Sequence, residues 1–143
     1  MTTERSPAQS MLFEAGLEIR REVLGADYVH RALDQADAFN LPFQHFLTEW
    51  CWGACWGRPG LSRDIRSMLN IAMLAVLNRQ DELKTHVRAA LGNGVTEDQI
   101  REVLIQVAVY AGVPAAVEAF RTATICLKER AGPETAIFQS VTV

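Results

Sequence analysis

Lysine is nearly missing from this 143-residue chain: Lys84 and Lys128 are the only two among 14 basic residues. The rest are arginines, whose planar guanidinium pairs carboxylates or phosphates in a directed way, where an ammonium acts as a point charge. With 17 acidic residues the formal net charge is −3 and the pI about 5.6. Such a balance excludes nucleic acid as the main partner, because phosphate-backbone binding needs concentrated positive charge. Cysteine is also scarce. Three of them cannot all pair within one chain, which excludes a disulfide scaffold. No apolar run reaches the roughly 20 residues that span a bilayer. The opening MTTERSPAQS lacks the apolar stretch of a secretion signal, so the expected location is the cytoplasm. A phosphate-cradling glycine loop and a His/Cys cluster at metal-ligand spacing are missing too, and neither metal nor cofactor is expected.

What is present is an ordinary globular composition, 49% hydrophobic and 22% charged, in a chain long enough for one domain with a real core. The expected organisation is a single domain over 1–131 followed by a tail over 132–143 that lies free or across a neighbouring subunit. Ser6-Pro7 predicts a helix start. Leu12, Phe13, Leu17, Ile19 and Val23 give that helix its apolar side, and Gly25 ends it. A short helix from Asp27 follows. Pro42 opens a third, on which Phe43, Phe46, Leu47, Trp50 and Cys51 follow the spacing of a buried stripe, with His45, Thr48, Glu49 and Trp52 on the adjacent face. Ser62 caps a fourth helix that is apolar on nearly all sides, as a central or subunit-covered helix would be. A fifth runs from Gln80 to Leu91. Thr96 to Gln99 is a capping box that opens a sixth, with Ile100, Val103, Leu104, Val107 and Ala111 inward. Gly112-Val113-Pro114 separates it from a seventh, Ala115 to Arg130, packed through Val117, Phe120, Ile125 and Leu127. The fold is expected to be all-α.

The stretch from Glu49 to Leu61, EWCWGACWGRPGL, concentrates all three tryptophans and two of the three cysteines. Buried tryptophan needs a partner for its indole N–H. The Trp-x-x-x-Trp spacing puts Trp52 and Trp56 on one side of a helix that continues past Gly53, and Arg58 stands at the exit before a Pro-Gly turn. Aromatic walls with a fixed guanidinium at the rim suit a small anionic ligand. An aromatic hinge filling a gap between helices explains the same residues. His45 and Glu49 lie one helical turn apart, within hydrogen-bonding reach. His86 shares its helix face with Leu83.

Taken together, Trp52-Gly53, Trp56, Arg58-Pro59-Gly60-Leu61, Arg66-Ser67, Ile71-Ala72-Met73-Leu74, His86-Val87-Arg88-Ala89-Ala90, Asn93-Gly94-Val95-Thr96 and Tyr110 to Ala116 occur in the order and spacing of the carboxymuconolactone decarboxylases. The chain resembles that family from about Gly16 to Leu127. The resemblance implies an alkylhydroperoxidase-like bundle of about seven helices assembled into trimers or hexamers. It also implies cofactor-free decarboxylation of a carboxylated unsaturated lactone in aromatic catabolism. The related peroxidase branch carries Cys-x-x-Cys ahead of the histidine, at positions that are Arg79 and Glu82 here. Ala54 stands where the decarboxylases commonly have a glutamate, and Cys51 and Cys55 replace aliphatic or small residues.

Decarboxylation needs an acceptor for the electron pair of the breaking C–C bond, and an unsaturated lactone carries its own. The resemblance then implies these roles: Arg58 clamps a carboxylate, Trp52 and Trp56 exclude water, His86 protonates carbon, and Glu82 orients His86. Glu49 is a further acid–base group, with His45 lining the substrate. Two rivals stay open. Cys51 and Cys55 suit thiol-dependent peroxide or disulfide reduction, and a non-catalytic helical oligomer that binds a small molecule is the other.

Overall fold

In the computed structural model of the protein, residues 4–132 are described, and the expected tail over 132–143 lies almost wholly outside them. Among the described residues all regular structure is helical, in two compact units, Met1–Arg66 and Ser67–Val143. No described helix is long and apolar enough to cross a membrane.

In the first unit, α1 spans Pro7–Leu24. Ser6 and Gln9 cap it reciprocally: the Gln9 backbone N–H donates to Ser6 Oγ at 3.3 Å and Ser6 N–H donates to Gln9 Oε1 at 2.9 Å. The inward face is Phe13, Gly16, Leu17, Arg20 and Val23, an i, i+3, i+4, i+7, i+10 series. Leu12 and Ile19, expected inside, are only half-buried. Phe13 and Leu17 pack with Val29 of α2, Ala26–Asp34.

The third expected helix is present but changes character midway. Helix α3, Leu41–Leu47, passes directly into a nine-residue π-helix, Thr48–Trp56. The expected inward stripe is corrected: Phe43, Phe46 and Trp50 are 59%, 56% and 52% exposed, and Cys51 is exposed as well. The inward residues are Thr48, Glu49, Trp52 and Trp56, three of which the α-period assigned to the adjacent or rim face. The cause lies in backbone packing. A Cβ on Gly16 would stand 2.0 Å from the Thr48 carbonyl oxygen and 2.7 Å from Gly53 N, and one on Gly53 would stand 2.5 Å from the Leu12 carbonyl oxygen. Two glycines facing each other let α1 and the π-helix approach backbone to backbone. That contact, and not the aliphatic stripe, sets which side turns in.

Helix α4, Arg63–Val76, starts in the first unit and continues the chain into the second. The second unit adds α5 (Gln80–Gly92), α6 (Glu97–Ala111) and α7 (Val113–Ala131). The capping box at Thr96 and Gln99 forms as expected. Ile71, Leu83, Val87, Ile100, Leu104 and Val107 make a core with Ala116, Ala119, Ala123 and Cys126 of α7. Here too the inward residues differ from expectation, since Val117 and Ile125 are 42% and 48% exposed. The face of α7 that turns in is a row of small side chains, which lets helices pack closely. Ala111 is exposed. A hydrogen bond from Thr122 Oγ1 to Gln80 Oε1 at 2.6 Å ties α7 to α5.

Candidate active site

The π-helix carries three of the seven candidate residues, Glu49, Trp52 and Trp56. Its i→i+5 hydrogen bonds widen each turn, and such segments recur at functional sites because they present side chains in a register that an α-helix cannot. Residues four apart stay on one side of the helix, as they would in an α-helix. Trp52 and Trp56 accordingly stack with ring centroids 5.0 Å apart and planes tilted by 31°. Both are buried. An aromatic wall is thus built into the helix itself.

Glu49, one turn earlier, is 6% exposed. A buried carboxylate without a partner would be costly, and Arg5 supplies one, with Nε 3.0 Å from Glu49 Oε1. The same guanidinium lies 4.1 Å from the centroid of the Phe13 ring. His45 meets Phe13 edge-on, with centroids 5.3 Å apart. The hydrogen bond expected between His45 and Glu49 is therefore replaced by a four-residue cluster: Arg5 holds Glu49 and Phe13, and Phe13 holds His45. Burial, with the Arg5 charge helping, pushes the His45 imidazole below its ordinary value, and Glu49 counters only in part.

Arg58 follows the π-helix and is exposed. Its carbonyl accepts from Arg66 Nη2 at 3.1 Å, while among the described residues its own guanidinium has no hydrogen-bond or ion-pair partner. A positioned backbone with an unengaged guanidinium is the arrangement a carboxylate clamp requires.

Two further arginines stand here, and sequence reasoning passed over the first of them, Arg20. Arg20 is 4% exposed, and among the described residues no carboxylate pairs with it. Nη1 donates to Thr48 Oγ1 at 3.1 Å and Nη2 to Gln44 Oε1 at 3.0 Å, while Nε is buried without a partner. Arg66 likewise keeps a buried, unpartnered Nε. The signal for Arg20 was its place between Leu17 and Val23 on the inward face of α1. Nothing local marked Arg66 beyond its position at a helix start, unfavourable for a cation.

The second unit carries His86 and Glu82, on α5. His86 is half-buried between the fully buried Leu83 and Val87. Burial pushes its imidazole below the ordinary value, and the Glu82 charge opposes this only partly. The group that touches the ring is Asn70 of α4, with Nδ2 3.4 Å from His86 Nδ1. Glu82 is exposed and acts on the ring through space. Which ring nitrogen carries the proton of the neutral imidazole sets the donor and acceptor roles across this contact. Asn70 was legible as the one polar side chain within Met68-Leu69-Asn70-Ile71-Ala72-Met73-Leu74, and the sequence reading missed it. Among the described residues no group of three or more His, Cys, Asp or Glu side chains is placed to hold a metal.

The chain is all-α among its described residues, with the stacked tryptophan pair and Arg58 in the first unit and the half-buried His86 in the second. Its family is plain from sequence: the profile of the carboxymuconolactone decarboxylase family matches residues 42–124, and the chain belongs to that family. A 4-carboxymuconolactone decarboxylase of Acinetobacter baylyi is 44% identical over 117 residues, covering 82% of this chain and 87% of that protein. A nitrosuccinic acid decarboxylase of Metarhizium robertsii is 45% identical over 108 residues, 76% of each chain. An uncharacterised 15.0 kDa protein of Paracoccus denitrificans is 28% identical over 107 residues, 63% of this chain and 80% of that one.

Proposed function

We propose that the protein is a carboxy-lyase that removes carbon dioxide from a small carboxylated lactone of the carboxymuconolactone type, or from a similar polycarboxylate, without a cofactor. The observation that supports it most is the pair of decarboxylases at 44% and 45% identity, named for acids with unlike skeletons. What a carboxylated unsaturated lactone and a nitro-substituted diacid share is an acceptor of their own for the electron pair of the breaking C–C bond. The lactone carbonyl takes it as an enolate oxygen, and a nitro group takes it as a nitronate. Such a substrate asks the protein only to hold a carboxylate, exclude water, stabilise the anion and return a proton to carbon. In this reading Arg58 holds the carboxylate, Trp52 and Trp56 form the dry wall, and His86 delivers the proton. Asn70 sets the orientation of His86, with Glu82 tuning its charge. Glu49 and His45 line the substrate, with Glu49 as the reserve acid. The protein works in the cytoplasm.

Release of carbon dioxide from 4-carboxymuconolactone or nitrosuccinate by the purified protein, with nothing added, is the test. Thiol-dependent loss of peroxide without carbon dioxide release would overturn it. Arg58→Lys keeps the charge and removes the two-pronged contact, so it is expected to cost about 1–3 kcal/mol in kcat/KM. Kinetics like those of the unmodified protein would make Arg58 structural.

The assembly is proposed to be a homo-oligomer, a trimer or a hexamer. The support is on α4, where Ile65, Leu69, Met73 and Val76 form a helical stripe that is 39%, 46%, 54% and 51% exposed in the single chain. Light scattering at micromolar concentration is expected to report a multiple of the 15.9 kDa chain mass. A monomer would overturn it.

A further inference from the structure

Thr48 stands where α3 gives way to the π-helix, and α1 grips it from two positions one turn apart. Gly16 meets its carbonyl oxygen, and Arg20 Nη1 donates to its hydroxyl at 3.1 Å. Arg20 Nη2 reaches the side chain of Gln44, one turn before Thr48, where Oε1 accepts at 3.0 Å. The Thr48 hydroxyl in turn donates to the Gln44 carbonyl at 2.7 Å, alongside the Thr48 backbone N–H. A threonine bonded back to the carbonyl four residues earlier often bends its helix. One guanidinium thus spans the last α turn and the first π residue. At the far end of the segment the wider spacing is kept, with Gly57 N–H donating to the Trp52 carbonyl at 3.0 Å.

The guanidinium is costly where it sits. Arg20 is buried, its Nε has no partner, and burial pushes it below its ordinary value. Arg63 of the same unit, by contrast, reaches the carboxylate of Glu22. A buried charge often stabilises no better than an apolar side chain of its size, and the best-attested reason to keep one is that it fixes register. A lysine, with a single nitrogen, could not span both acceptors.

We propose that Arg20 is a positioning residue that, through Thr48 and Gln44, fixes where the α turn ends and the π turn begins, and so turns Glu49, Trp52 and Trp56 inward together. The glycine contact sets which side of the segment faces α1, and Arg20 sets where along the chain the changeover falls. An α-helix advances about 100° per residue and the wider π turn less. A run-on of α3 through the nine residues of the segment would therefore carry Trp56, at its far end, off the buried face. The consequence for catalysis rests on the reading of the two indoles as the dry wall, whereas the effect on register does not.

Trp50→Phe removes the exposed indole and leaves all tryptophan fluorescence to the buried Trp52 and Trp56. In that parent the emission is expected to be blue and poorly quenched by acrylamide. Adding Arg20→Met, uncharged and similar in length, is expected to leave the denaturant midpoint unchanged or higher. The folded-state emission nevertheless moves to the red, and the quenching constant rises several-fold. An arginine that only stabilised the fold would lower the midpoint and leave the folded-state emission alone. Thr48→Val is expected to act like Arg20→Met, and the two together to do no more than either alone. Gln44→Leu keeps the arginine and breaks one of its two bonds, so a smaller shift of the same sign is expected; it decides the matter should Arg20→Met fail to fold. In kcat/KM on 4-carboxymuconolactone, Arg20→Met is expected to lose about 10²-fold, the cost of a misplacement of about 1 Å. A red shift in a protein whose parent releases no carbon dioxide would support the register role and sink the decarboxylase reading alone. Emission and quenching like the parent's in Arg20→Met or Gln44→Leu, Arg20→Met and Thr48→Val effects that add as independent, or undiminished turnover in Arg20→Met would each overturn the assignment.

Discussion

His86→Gln is expected to lower kcat by about 10²–10⁴-fold, the usual contribution of a positioned general acid, while binding of a dicarboxylate analogue changes much less. Glutamine keeps a hydrogen-bonding side chain for Asn70 and removes only the group able to give up a proton. The half-buried ring between Leu83 and Val87 has no second imidazole on α5 to replace it. Its pH behaviour follows from the direction of its shift. Burial holds the folded-state value below the ordinary 6.5, so the imidazolium population declines with rising pH through a value below that. The alkaline limb of kcat/KM, which reports the free protein, is expected there. A bound anionic substrate raises the pKa of a nearby imidazole, and the limb in kcat is expected at higher pH. Both limbs should vanish in His86→Gln. Near-unchanged turnover in an intact, correctly assembled variant would leave His86 a core histidine and move the proton donor to Glu49, Glu82 or His45.

The same shift has a consequence for stability, with its sign set by linkage. Between the lowered folded value and the unfolded one, the unfolded chain binds a proton that folded His86 refuses. Stability is therefore complete above the unfolded value and is lost as pH falls towards the folded one. His45 is lowered as well and acts in the same direction.

The second large effect is expected from one methyl group. Gly16→Ala places a Cβ 2.0 Å from the Thr48 carbonyl oxygen and 2.7 Å from Gly53 N. Both are backbone atoms, so no rotamer change can relieve the overlap, and α1 must move away from the π-helix. Overpacking costs about 1–3 kcal/mol or more, and a backbone-to-backbone overlap this deep belongs at the upper end. Alanine's better helix propensity returns only about 1 kcal/mol. A net loss of about 2–3 kcal/mol is expected in denaturant unfolding, with loss of the near-ultraviolet dichroism of the Trp52–Trp56 pair. Gly92→Ala is the control, since nothing lies within 4 Å of a Cβ built there; it should be neutral or slightly stabilising. Equal stability of the two variants would mean that the glycine contact does not hold the π-helix in place.

Local rules carried the chain a long way. Ser6 with Gln9 and Thr96 with Gln99 are caps satisfied by side chains three residues away, and they form as spacing predicts. Gly112 takes φ of 104° between α6 and α7, where a residue with a Cβ would be strained. The number and order of the α-helices, their all-α character and the family follow from periodicity, punctuation and matched motifs. Each of these depends on residues within one or two turns of each other, or on order along the chain.

Tertiary contact decided the rest. The apolar spacing of Phe43, Phe46, Leu47, Trp50 and Cys51 fits an α-helix, yet the chain gives up that register because Gly16 and Gly53 allow a closer approach on another side. A hydrophobic stripe specifies that some face is to be covered, not by which neighbour, and large side chains on α3, α4 and α7 remain exposed in the single chain. Glu49 turns to Arg5 across 44 positions, and His86 to Asn70 across 16. Partners that far apart leave no periodic trace. Candidate site residues could be picked out by type, but what touches each was settled only when packing brought distant backbone segments together.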